Sequence, residues 1–328
     1  MKCIDLFAGI GGIRLGFEQA FDNDLETVFV SEIDKFARKM YSDNFYNTFE
    51  ISEDIRDIDV NNIPNFDICM AGFPCQAFSI AGKQEGFKDQ IRGTLFAEIV
   101  RVCEAKQPKV IFCENVPNLI KHDKCRTFKT IVKAFEEIGY NVYPQLLNAK
   151  DFGCPQNRER VYIVCFRKDL NIKDFYIEPP TVNPKVIRDI LEDAPISSKF
   201  YLSNQYLDCL RKHRKSQEEK GNGYGYVVRD LDSIAATIVC GGMGHERNLI
   251  CDPRPHSMVP VTSIKGGINK EDIRKMTPRE WARLQGFPEN FRITVSDTRA
   301  YKLLANSVAV PVVREIAQHI KEVLEKCE

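Results

Sequence analysis

Short runs of apolar, often β-branched residues alternate with longer amphipathic segments through the first half of the chain. The short runs predict strands at residues 3–7, 27–31, 68–71, 110–113, 141–146 and 161–166. The longer segments predict helices after the glycines at positions 11 and 12, and at residues 35–41, 94–106 and 126–138. Strands that alternate with covering helices are typical of a parallel sheet that is covered by helices on both faces. We therefore predict an α/β fold with a doubly wound sheet.

The alternation stops near residue 170, where the composition changes. Pro-Pro and Asn-Pro pairs are followed by a basic stretch at residues 211–215 and by glycine-rich segments between residues 221 and 244. Ile316, Ile320 and Val323 then recur at helical spacing, which predicts a last helix that packs back onto the first domain. We predict a first domain at residues 1–170, a smaller and irregular domain at 171–285, and a returning C-terminal segment at 286–328.

The composition limits the classes of function. Lysine and arginine total 46 and aspartate and glutamate total 46, so the formal net charge is zero and any nucleic-acid binding must rest on local positive charge. No stretch approaches ~18 consecutive apolar residues and no charged leader with a cleavage site is evident, so we expect a soluble, cytoplasmic protein. The 12 cysteines lack paired-ligand spacing, which indicates reduced core thiols and no metal site.

A glycine loop at residues 7–12 follows the first predicted strand and opens the first helix, a setting in which backbone N–H groups bind nucleotides. Arg14 stands where a dinucleotide fingerprint requires its third glycine, so a pyrophosphate is disfavoured. Glu32 follows the second strand, where an acid can bind ribose hydroxyls, although a surface carboxylate gives the same pattern. The loop and Glu32 together favour a nucleoside cofactor without a pyrophosphate over NAD.

Two reactive groups follow apolar strands. Cys75 lies in Gly-Phe-Pro-Cys-Gln at residues 72–76, and Glu114 follows the strand at 110–113. The carboxyl ends of parallel strands meet at one sheet edge, where a thiol can serve as a nucleophile. Cys75 could instead be a packed thiol, and Glu114 a helix N-cap. Gln-Asn-Arg-Glu-Arg at 156–160 could aim guanidinium groups at the same edge or form an exposed, ion-paired turn.

Five motifs occur in a fixed order, at residues 5–12, 72–79, 114–116, 156–160 and 306–308. Their order and spacing closely resemble the motif series of the bacterial DNA (cytosine-5)-methyltransferases, over essentially the whole chain. The resemblance implies S-adenosylmethionine as methyl donor, double-stranded DNA as substrate and a restriction-modification system. It also implies that residues 1–170 form the catalytic and cofactor-binding domain of an S-adenosylmethionine-dependent methyltransferase fold, and that residues 171–285 form a target-recognition domain.

The resemblance implies roles for individual residues. Cys75 is similar to the nucleophile that adds to C6 of a flipped cytosine, and Glu114 to the acid that binds N3 and the exocyclic amine. Arg160, with Arg158 beside it, is similar to the residue that holds O2. The implied cofactor-binding residues are Phe7, Gly9, Gly11, Gly12, Glu32, Ile33, Asp54, Ile55, Pro74, Leu95, Asn306 and Ser307. The implied DNA-binding residues are Ser79, Lys83, Gln84 and Arg247.

Segments between residues 220 and 281 resemble those of a family member that recognises CCGG and methylates its inner cytosine, which implies the same target here. Arg247 could make a bidentate contact to guanine in the major groove. The basic stretch 211–215 could contact phosphate or form a solvated charged face. Trp281 is expected to pack at the hinge between the domains rather than to stack on a base.

Two departures from the family pattern leave alternatives open. Residues 89–94 carry one residue more than the expected spacing, and Ala305 replaces the glycine that usually precedes Asn306. A catalytically silent DNA-binding relative is therefore one alternative. A tRNA cytosine-5 methyltransferase shares the motifs, but the long target-recognition region argues against it, and Arg14 argues against an NAD-dependent oxidoreductase. We expect a monomer, because an asymmetric two-domain cleft needs no second subunit.

Overall fold

The structure is a computed structural model that describes residues 1–22, 24–74, 93–240, 245–257 and 267–327, without the side chains of His245 and Ser257. Four predicted site residues lie outside the described residues, namely Cys75, Ser79, Lys83 and Gln84. Most of the segment 89–94, with its additional residue, also lies outside them.

The described residues form short strands and helices along the whole chain. The strands are β1 (Lys2–Leu6), β2 (Glu26–Ser31), β3 (Ile68–Ala71), β4 (Val110–Asn115), β5 (Tyr140–Asn148), β6 (Gln156–Asn157), β7 (Glu159–Arg167), β8 (Ile196–Ser197), β9 (Val228–Arg229), β10 (Ala235–Ala236), β11 (Leu249–Cys251), β12 (His256–Ser257) and β13 (Ile273–Lys275). The helices are α1 (Gly12–Phe21), α2 (Lys35–Asn44), α3 (Leu95–Lys106), α4 (Asn118–Lys121), α5 (Arg126–Glu137), α6 (Asn204–Glu219), α7 (Pro278–Leu284), α8 (Asp297–Asn306) and α9 (Val310–Glu325).

The chain divides into two compact units. The larger one, here called the sheet unit, comprises Met1–Asn148, Glu159–Pro180 and Val310–Glu328. The other, here called the smaller unit, comprises Ala149–Arg158 and Thr181–Ala309. Each unit is therefore assembled from segments that are separated in the sequence.

The sheet unit is built on a six-stranded sheet in the order β2-β1-β3-β4-β7-β5. The first four strands of this order pair in parallel. Strand β7 runs antiparallel to both of its neighbours, so the sheet is mixed rather than parallel throughout. Only the short segment 149–158 joins β5 to β7, which is too short for the crossover helix that a parallel pair needs. The six predicted strands and the predicted α/β fold class are confirmed.

Helices cover both faces of this sheet. Phe96 of α3 and Phe135 of α5 pack in the same buried cluster as Ile111 of β4. On the opposite face, the ring of Phe17 of α1 meets that of Phe112 edge-on, with centroids 5.2 Å apart. Successive residues of a strand point to opposite faces, so neighbouring side chains of β4 meet different helices. This is the doubly wound arrangement.

The last helix packs against the first. A Cβ atom placed on Gly16 of α1 would lie 2.6 Å from Cγ1 of Val313 in α9, so only glycine allows the two helices to approach this closely. Ile316 and Ile320, which predicted α9 by their spacing, are fully buried. The C-terminal helix therefore belongs to the core of the sheet unit.

The strands described in the smaller unit are short, and three of them form the sheet β13-β11-β9. Its core includes a buried ion network in which Arg274 pairs with Asp252 and with Glu280, each at 2.7 Å. Trp281 is buried against Tyr301, with ring centroids 4.7 Å apart, in the same unit. The described contacts of Trp281 thus place it in the core of the smaller unit, not on a surface where it could stack on a base.

The cysteines divide into two groups. Cys3, Cys69, Cys103, Cys113, Cys154 and Cys165 are buried free thiols, as predicted. The prediction is wrong for five others, which are exposed: Cys125, Cys209, Cys240, Cys251 and Cys327. An isolated cysteine gives no periodic signal, so the sequence could not separate the buried cysteines from the exposed ones.

Candidate active site

The glycine loop at residues 7–12 turns sharply between β1 and α1. Phe7, Gly9 and Gly11 have positive φ angles of 56°, 55° and 82°. At Gly11 a Cβ atom would lie 2.2 Å from Cε2 of Phe45, so glycine is required there for space as well as for conformation. Gly12 opens α1, and no side chain caps this helix. Because no side chain caps α1, its first N–H groups can donate hydrogen bonds to a ligand.

Glu32 links the end of β2 to the glycine loop. Its Oε2 accepts a hydrogen bond from the N–H of Gly9 at 2.8 Å, and its Oε1 accepts one from the N–H of Asp34 at 2.8 Å. Each carboxylate oxygen keeps a second lone pair that can accept a hydrogen bond from a ribose hydroxyl group. Ile33, the next residue, is 64% exposed, which is unusual for so large an apolar side chain beside a buried strand. An exposed apolar surface here suits the flat face of a base.

A second acidic residue lies on the segment next to β2. The N–H of Glu32 donates to the carbonyl of Ser52 at 2.9 Å, so residues 52–54 run beside the strand end. Asp54 caps the following turn, and its hydrogen bonds from Arg56 hold the pKa of Asp54 below its usual range. Ile55 is buried in the core of the sheet unit. Asp54 therefore remains ionised at neutral pH.

The segment that leads to the predicted nucleophile lies close to the glycine loop. A Cβ on Gly72 would lie 3.3 Å from Cδ1 of Ile13 and 4.0 Å from the carbonyl oxygen of Phe7. Pro74, the last described residue before Cys75, is exposed, and Leu95, the first residue of α3, is partly buried. The ends of β1 and β3 thus bring the predicted cofactor-binding and catalytic motifs together, as expected at the carboxyl edge of a parallel sheet.

Asn115 anchors this segment from the neighbouring strand. Its buried side chain donates from Nδ2 to the carbonyl of Phe73 at 2.8 Å and accepts from the N–H of Val116 at 2.8 Å. The backbone two residues before Cys75 is therefore fixed to the end of β4. The sequence pattern alone predicts no role for Asn115; the signal that points to it is its place directly after Glu114 in the Glu-Asn-Val motif.

Glu114 and Arg160 form the buried ion pair of the site. Nε of Arg160 lies 3.1 Å from Oε1 of Glu114, and their side chains are only 12% and 11% exposed. Glu114 lies within β4 and α4 begins after Pro117, so the helix N-cap alternative for Glu114 is wrong. A guanidinium group beside a carboxylate at the end of two adjacent strands can bind an amide-like edge of a heterocycle.

Arg158 has different partners. Its guanidinium donates to the carbonyls of Ile238 at 3.2 Å and Ala305 at 3.0 Å, and also to that of Ser307. Arg158 is 2% exposed and Gln156 is fully buried, so the alternative of an exposed turn is wrong. These bonds tie together three segments of the smaller unit. The catalytic role predicted for Arg158 stays a prediction, and its described contacts are structural.

Asn306 and Ser307 belong to the smaller unit. Asn306 ends α8, and its Oδ1 accepts a hydrogen bond from Sγ of Cys240 at 3.1 Å. Ser307 is the C-terminal cap residue of the same helix. The predicted cofactor role of both residues stays a prediction.

Arg247 projects from a well-anchored turn of the smaller unit. The buried carboxylate of Glu246 accepts a hydrogen bond from the hydroxyl of Tyr206 at 2.8 Å and pairs with Lys275 at 3.3 Å. Asn248, on the other side, is also buried, whereas Arg247 is exposed. An exposed arginine between two buried neighbours presents its guanidinium group from a fixed backbone.

The basic stretch 211–215 forms part of the exposed surface of α6. Arg211 and Arg214 both pair with carboxylates of the same unit. Lys212 and Lys215 are exposed. The two arginines therefore form ion pairs on a solvated charged surface, which is the alternative to phosphate binding. Lys212 and Lys215 are the better candidates for phosphate contacts.

A buried network of polar side chains, formed by Asp5, Arg14 and Tyr41, packs next to the glycine loop. Oδ2 of Asp5, in β1, accepts from the hydroxyl of Tyr41 at 3.2 Å, and Arg14 donates to the same hydroxyl at 3.3 Å. Tyr41 and Phe45 are the rings that contact Gly11. Oδ1 of Asp5 has no hydrogen-bond partner among the described residues. Complete burial raises the pKa of Asp5 to about 7, so the folded protein holds Asp5 mainly in its protonated form below that pH.

Asp5 is expected to make the stability of the protein fall as the pH rises. Because the pKa of Asp5 is raised on folding from 3.8 to about 7, the native state binds more protons than the unfolded state between these values. The free energy of unfolding of Asp5→Asn, minus that of the parent, should therefore increase by about 1.4 kcal/mol per pH unit between about pH 4 and 7. Urea unfolding at several pH values measures this. Asp24→Asn, at an exposed carboxylate, is the control; a pH-independent difference for Asp5→Asn contradicts the prediction.

The described residues lack two features that are typical of other protein classes. They contain no group of three or more histidine, cysteine, aspartate or glutamate residues that could hold a metal ion. Within the same residues, none of the helices has the length and apolar character needed to cross a membrane.

Comparison with protein families gives a single consistent result. The model of the C-5 cytosine-specific DNA methylases matches residues 1–322. The type II methyltransferase M.HpaII of Haemophilus parainfluenzae is 49% identical over 98% of this chain and 89% of its own length. M1.ScrFI of Lactococcus lactis subsp. cremoris is 46% identical over 99% of this chain and 79% of its own length.

Solved structures share the fold. The Entamoeba histolytica methyltransferase EhMeth aligns with a TM-score of 0.73 at 22% identity, covering 100% of this chain and 99% of its own. The Dnmt2 methyltransferase of S. pombe aligns with a TM-score of 0.73 at 21% identity, covering 99% and 98%. At this identity the likeness establishes the architecture alone.

Proposed function

The chain belongs to the C-5 cytosine-specific DNA methylase family, and we propose that it methylates the inner cytosine of CCGG through a covalent bond between Cys75 and C6 of a flipped base. Membership makes the protein an S-adenosylmethionine-dependent DNA (cytosine-5)-methyltransferase of the type II, restriction-modification class. The target, the adduct and base flipping are the proposed part. The observation that carries the proposal is the buried pair of Glu114 and Arg160 beside the anchored segment that leads to Cys75.

The residues at the edge of β1 and β2 fit the cofactor. The glycine loop offers backbone N–H groups, Glu32 offers acceptors for ribose hydroxyls, and the exposed side chain of Ile33 offers an apolar surface for the adenine. When bound, S-adenosylmethionine supplies an electrophilic methyl group on a sulfonium. The absence of a dinucleotide fingerprint at Arg14 agrees with a cofactor that has no pyrophosphate.

The proposed chemistry begins at Cys75. C5 of cytosine is a poor nucleophile, and addition of the Cys75 thiolate to C6 makes the ring an enamine that is nucleophilic at C5. Glu114 holds a proton at N3 and accepts a hydrogen bond from the exocyclic amine, while Arg160 donates to O2. C5 then takes the methyl group, loses its proton to a base, and the C6–S bond breaks to return the thiolate.

The base must leave the duplex for this reaction. C6 is covered by stacking in double-stranded DNA, so rotation of the cytosine into the site costs a few kcal/mol. Ser79, Lys83 and Gln84 follow Cys75 in the sequence and are proposed to contact the DNA from which the base has been removed. Because Glu114 and Arg160 present donors and acceptors in fixed positions, they can recognise cytosine once it has left the stack.

The target assignment rests on the smaller unit. Segments between residues 220 and 281 resemble the HpaII modification methylase, which recognises CCGG, and the chain is 49% identical to M.HpaII overall. Arg247 is exposed between the anchored residues Glu246 and Asn248, a geometry that suits a bidentate contact to guanine. We further propose that residues 171–285 act as the target-recognition domain, that residues 1–170 carry cofactor and catalysis, and that the enzyme acts as a monomer. Of the predicted returning segment 286–328, Val310–Glu328 belongs to the sheet unit, whereas residues 286–309 belong to the smaller unit.

Methyl transfer from labelled S-adenosylmethionine tests the target. A duplex with one CCGG site should accept one methyl group per strand, and a duplex of the same composition with the site scrambled should accept none. Bisulfite sequencing should then locate the methyl group on the inner cytosine. Methylation of a different sequence, or of the outer cytosine, contradicts the CCGG proposal and leaves the family assignment intact. Transfer to tRNA with none to any duplex contradicts DNA as the substrate.

A further inference from the structure

Most arginines of the smaller unit have a protein partner that satisfies their charge. Within the described residues, carboxylates pair with six of them: Arg188, Arg211, Arg214, Arg254, Arg274 and Arg283. Arg158 and Arg279 donate to backbone carbonyls instead. Arg229 differs from all of these, because its described hydrogen bonding is limited to one bond from Nε.

Arg229 is partly buried without a compensating anion. It lies in β9, directly opposite Ile250 of β11, which is fully buried. Burial lowers the pKa of Arg229, and no carboxylate of the described residues offsets the effect. Removing a guanidinium group from water without an ionic partner costs free energy, so the packing of the unit does not by itself explain an arginine at this position.

One hydrogen bond fixes the orientation of this side chain. Nε of Arg229 donates to the carbonyl oxygen of Arg247 at 3.1 Å. The bond occupies one of the five N–H donors and leaves the edge formed by Nη1 and Nη2, for which the described residues provide no acceptor. That edge is the one that binds two acceptors side by side. The guanidinium group is therefore held in place with its bidentate edge available.

The support beneath Arg229 is itself rigid. Arg247 is followed by Asn248, which exchanges two hydrogen bonds with the backbone of Ala236, at 2.8 and 3.0 Å. On its other side, the carbonyl of Glu246 accepts from the N–H of Val227 at 2.7 Å. The turn that carries Arg247 and the strand that carries Arg229 thus form one hydrogen-bonded platform. Arg229 and Arg247 therefore extend from the same platform, and a ligand that offers several acceptors can bind both.

We propose that Arg229 is a second target-recognition residue, which binds a guanine of the target site through its Nη1–Nη2 edge next to Arg247. Guanine presents O6 and N7 side by side in the major groove, and this pair matches the arginine fork. A guanidinium held in one plane suits such a contact better than a phosphate, which an exposed and flexible side chain can reach from many directions. The inference rests on DNA being the substrate and on the proposed role of Arg247.

The test replaces Arg229 after the methylated site has been mapped by sequencing, so that it does not depend on CCGG being correct. Arg229→Ala should lower kcat/KM on the mapped site by about tenfold to a hundredfold. Replacing one particular guanine by 7-deazaguanine, which lacks the N7 acceptor, should weaken the parent about tenfold and leave Arg229→Ala unaffected. Arg188→Ala, at an arginine of the same unit that pairs with Asp232, should behave like the parent.

Three results would overturn the proposal. An equal loss on all duplexes, with a salt dependence reduced by about one phosphate contact, would make Arg229 a backbone-binding residue. Recovery by Arg229→Lys would show that charge alone is needed, because lysine lacks the fork. An unchanged kcat/KM, with normal cofactor affinity and thermal stability, would show that Arg229 takes no part in recognition. Cofactor affinity and thermal stability are measured for every variant, so a folding defect is distinguished from lost recognition.

Discussion

Cys75→Ser is expected to lose methyl transfer by at least about 10⁴-fold while binding S-adenosylmethionine as well as the parent does, the scale found when a covalent nucleophile is removed. Serine preserves the shape of the side chain, but its hydroxyl is not ionised at neutral pH and adds to C6 far more slowly than a thiolate. The cofactor residues Glu32 and Asp54 lie on other segments of the sheet unit, so their binding site should remain. Transfer of labelled methyl groups and equilibrium cofactor binding measure the two properties separately.

A trapped adduct identifies the attacking atom. In a duplex with 5-fluorocytosine at the target, C5 carries no proton to lose after methylation, so the C6–S bond cannot break. The parent should form a complex that survives denaturation, and Cys75→Ser should form none. Cys125→Ser, at an exposed thiol of the same unit, is the control and should retain both turnover and the adduct. An adduct that persists in Cys75→Ser would assign the nucleophile to a different cysteine.

The strands and the motif order of the sheet unit were predictable because periodicity and strand ends are local features. β3 was predicted at its observed bounds, and each other strand of this sheet within three residues. The antiparallel direction of β7 was not predicted, because it depends on the short connection at residues 149–158 rather than on β7 itself. An apolar strand has the same pattern in either direction.

The supports of the site were harder to predict than its chemical groups. Glu114 and Arg160 were identified by motif, and the structure pairs them. Asn115 acts through a hydrogen bond to a residue 42 positions away, and Arg158 through carbonyls 80 and 147 positions away. Contacts of that range leave no periodic trace in one sequence. The same holds for Arg229, whose importance comes from the absence of a described carboxylate rather than from a motif.

Glu114→Gln is expected to lower kcat by about 10²- to 10⁴-fold with little change in cofactor affinity, the range found for positioned acid–base groups. Glutamine keeps the shape of the side chain but has no acidic proton to give to N3. Addition of the Cys75 thiolate to C6 would then leave a negative charge on the cytosine ring. Adduct formation with the 5-fluorocytosine duplex should slow to the same extent, which separates this defect from one in methyl transfer alone.

A double variant of Glu114 and Arg160 tests whether the two side chains act together. Because Nε of Arg160 lies 3.1 Å from Oε1 of Glu114, the two residues should behave as one unit. The double variant Glu114→Gln/Arg160→Ala should be less impaired than the product of the two single effects, since either change already breaks the pair. Glu137→Gln, at an exposed carboxylate at the end of α5, is the control and should match the parent. Independent, multiplicative losses would show that the Glu114–Arg160 contact does not organise the site, and near-parental turnover of Glu114→Gln would remove Glu114 from the chemistry.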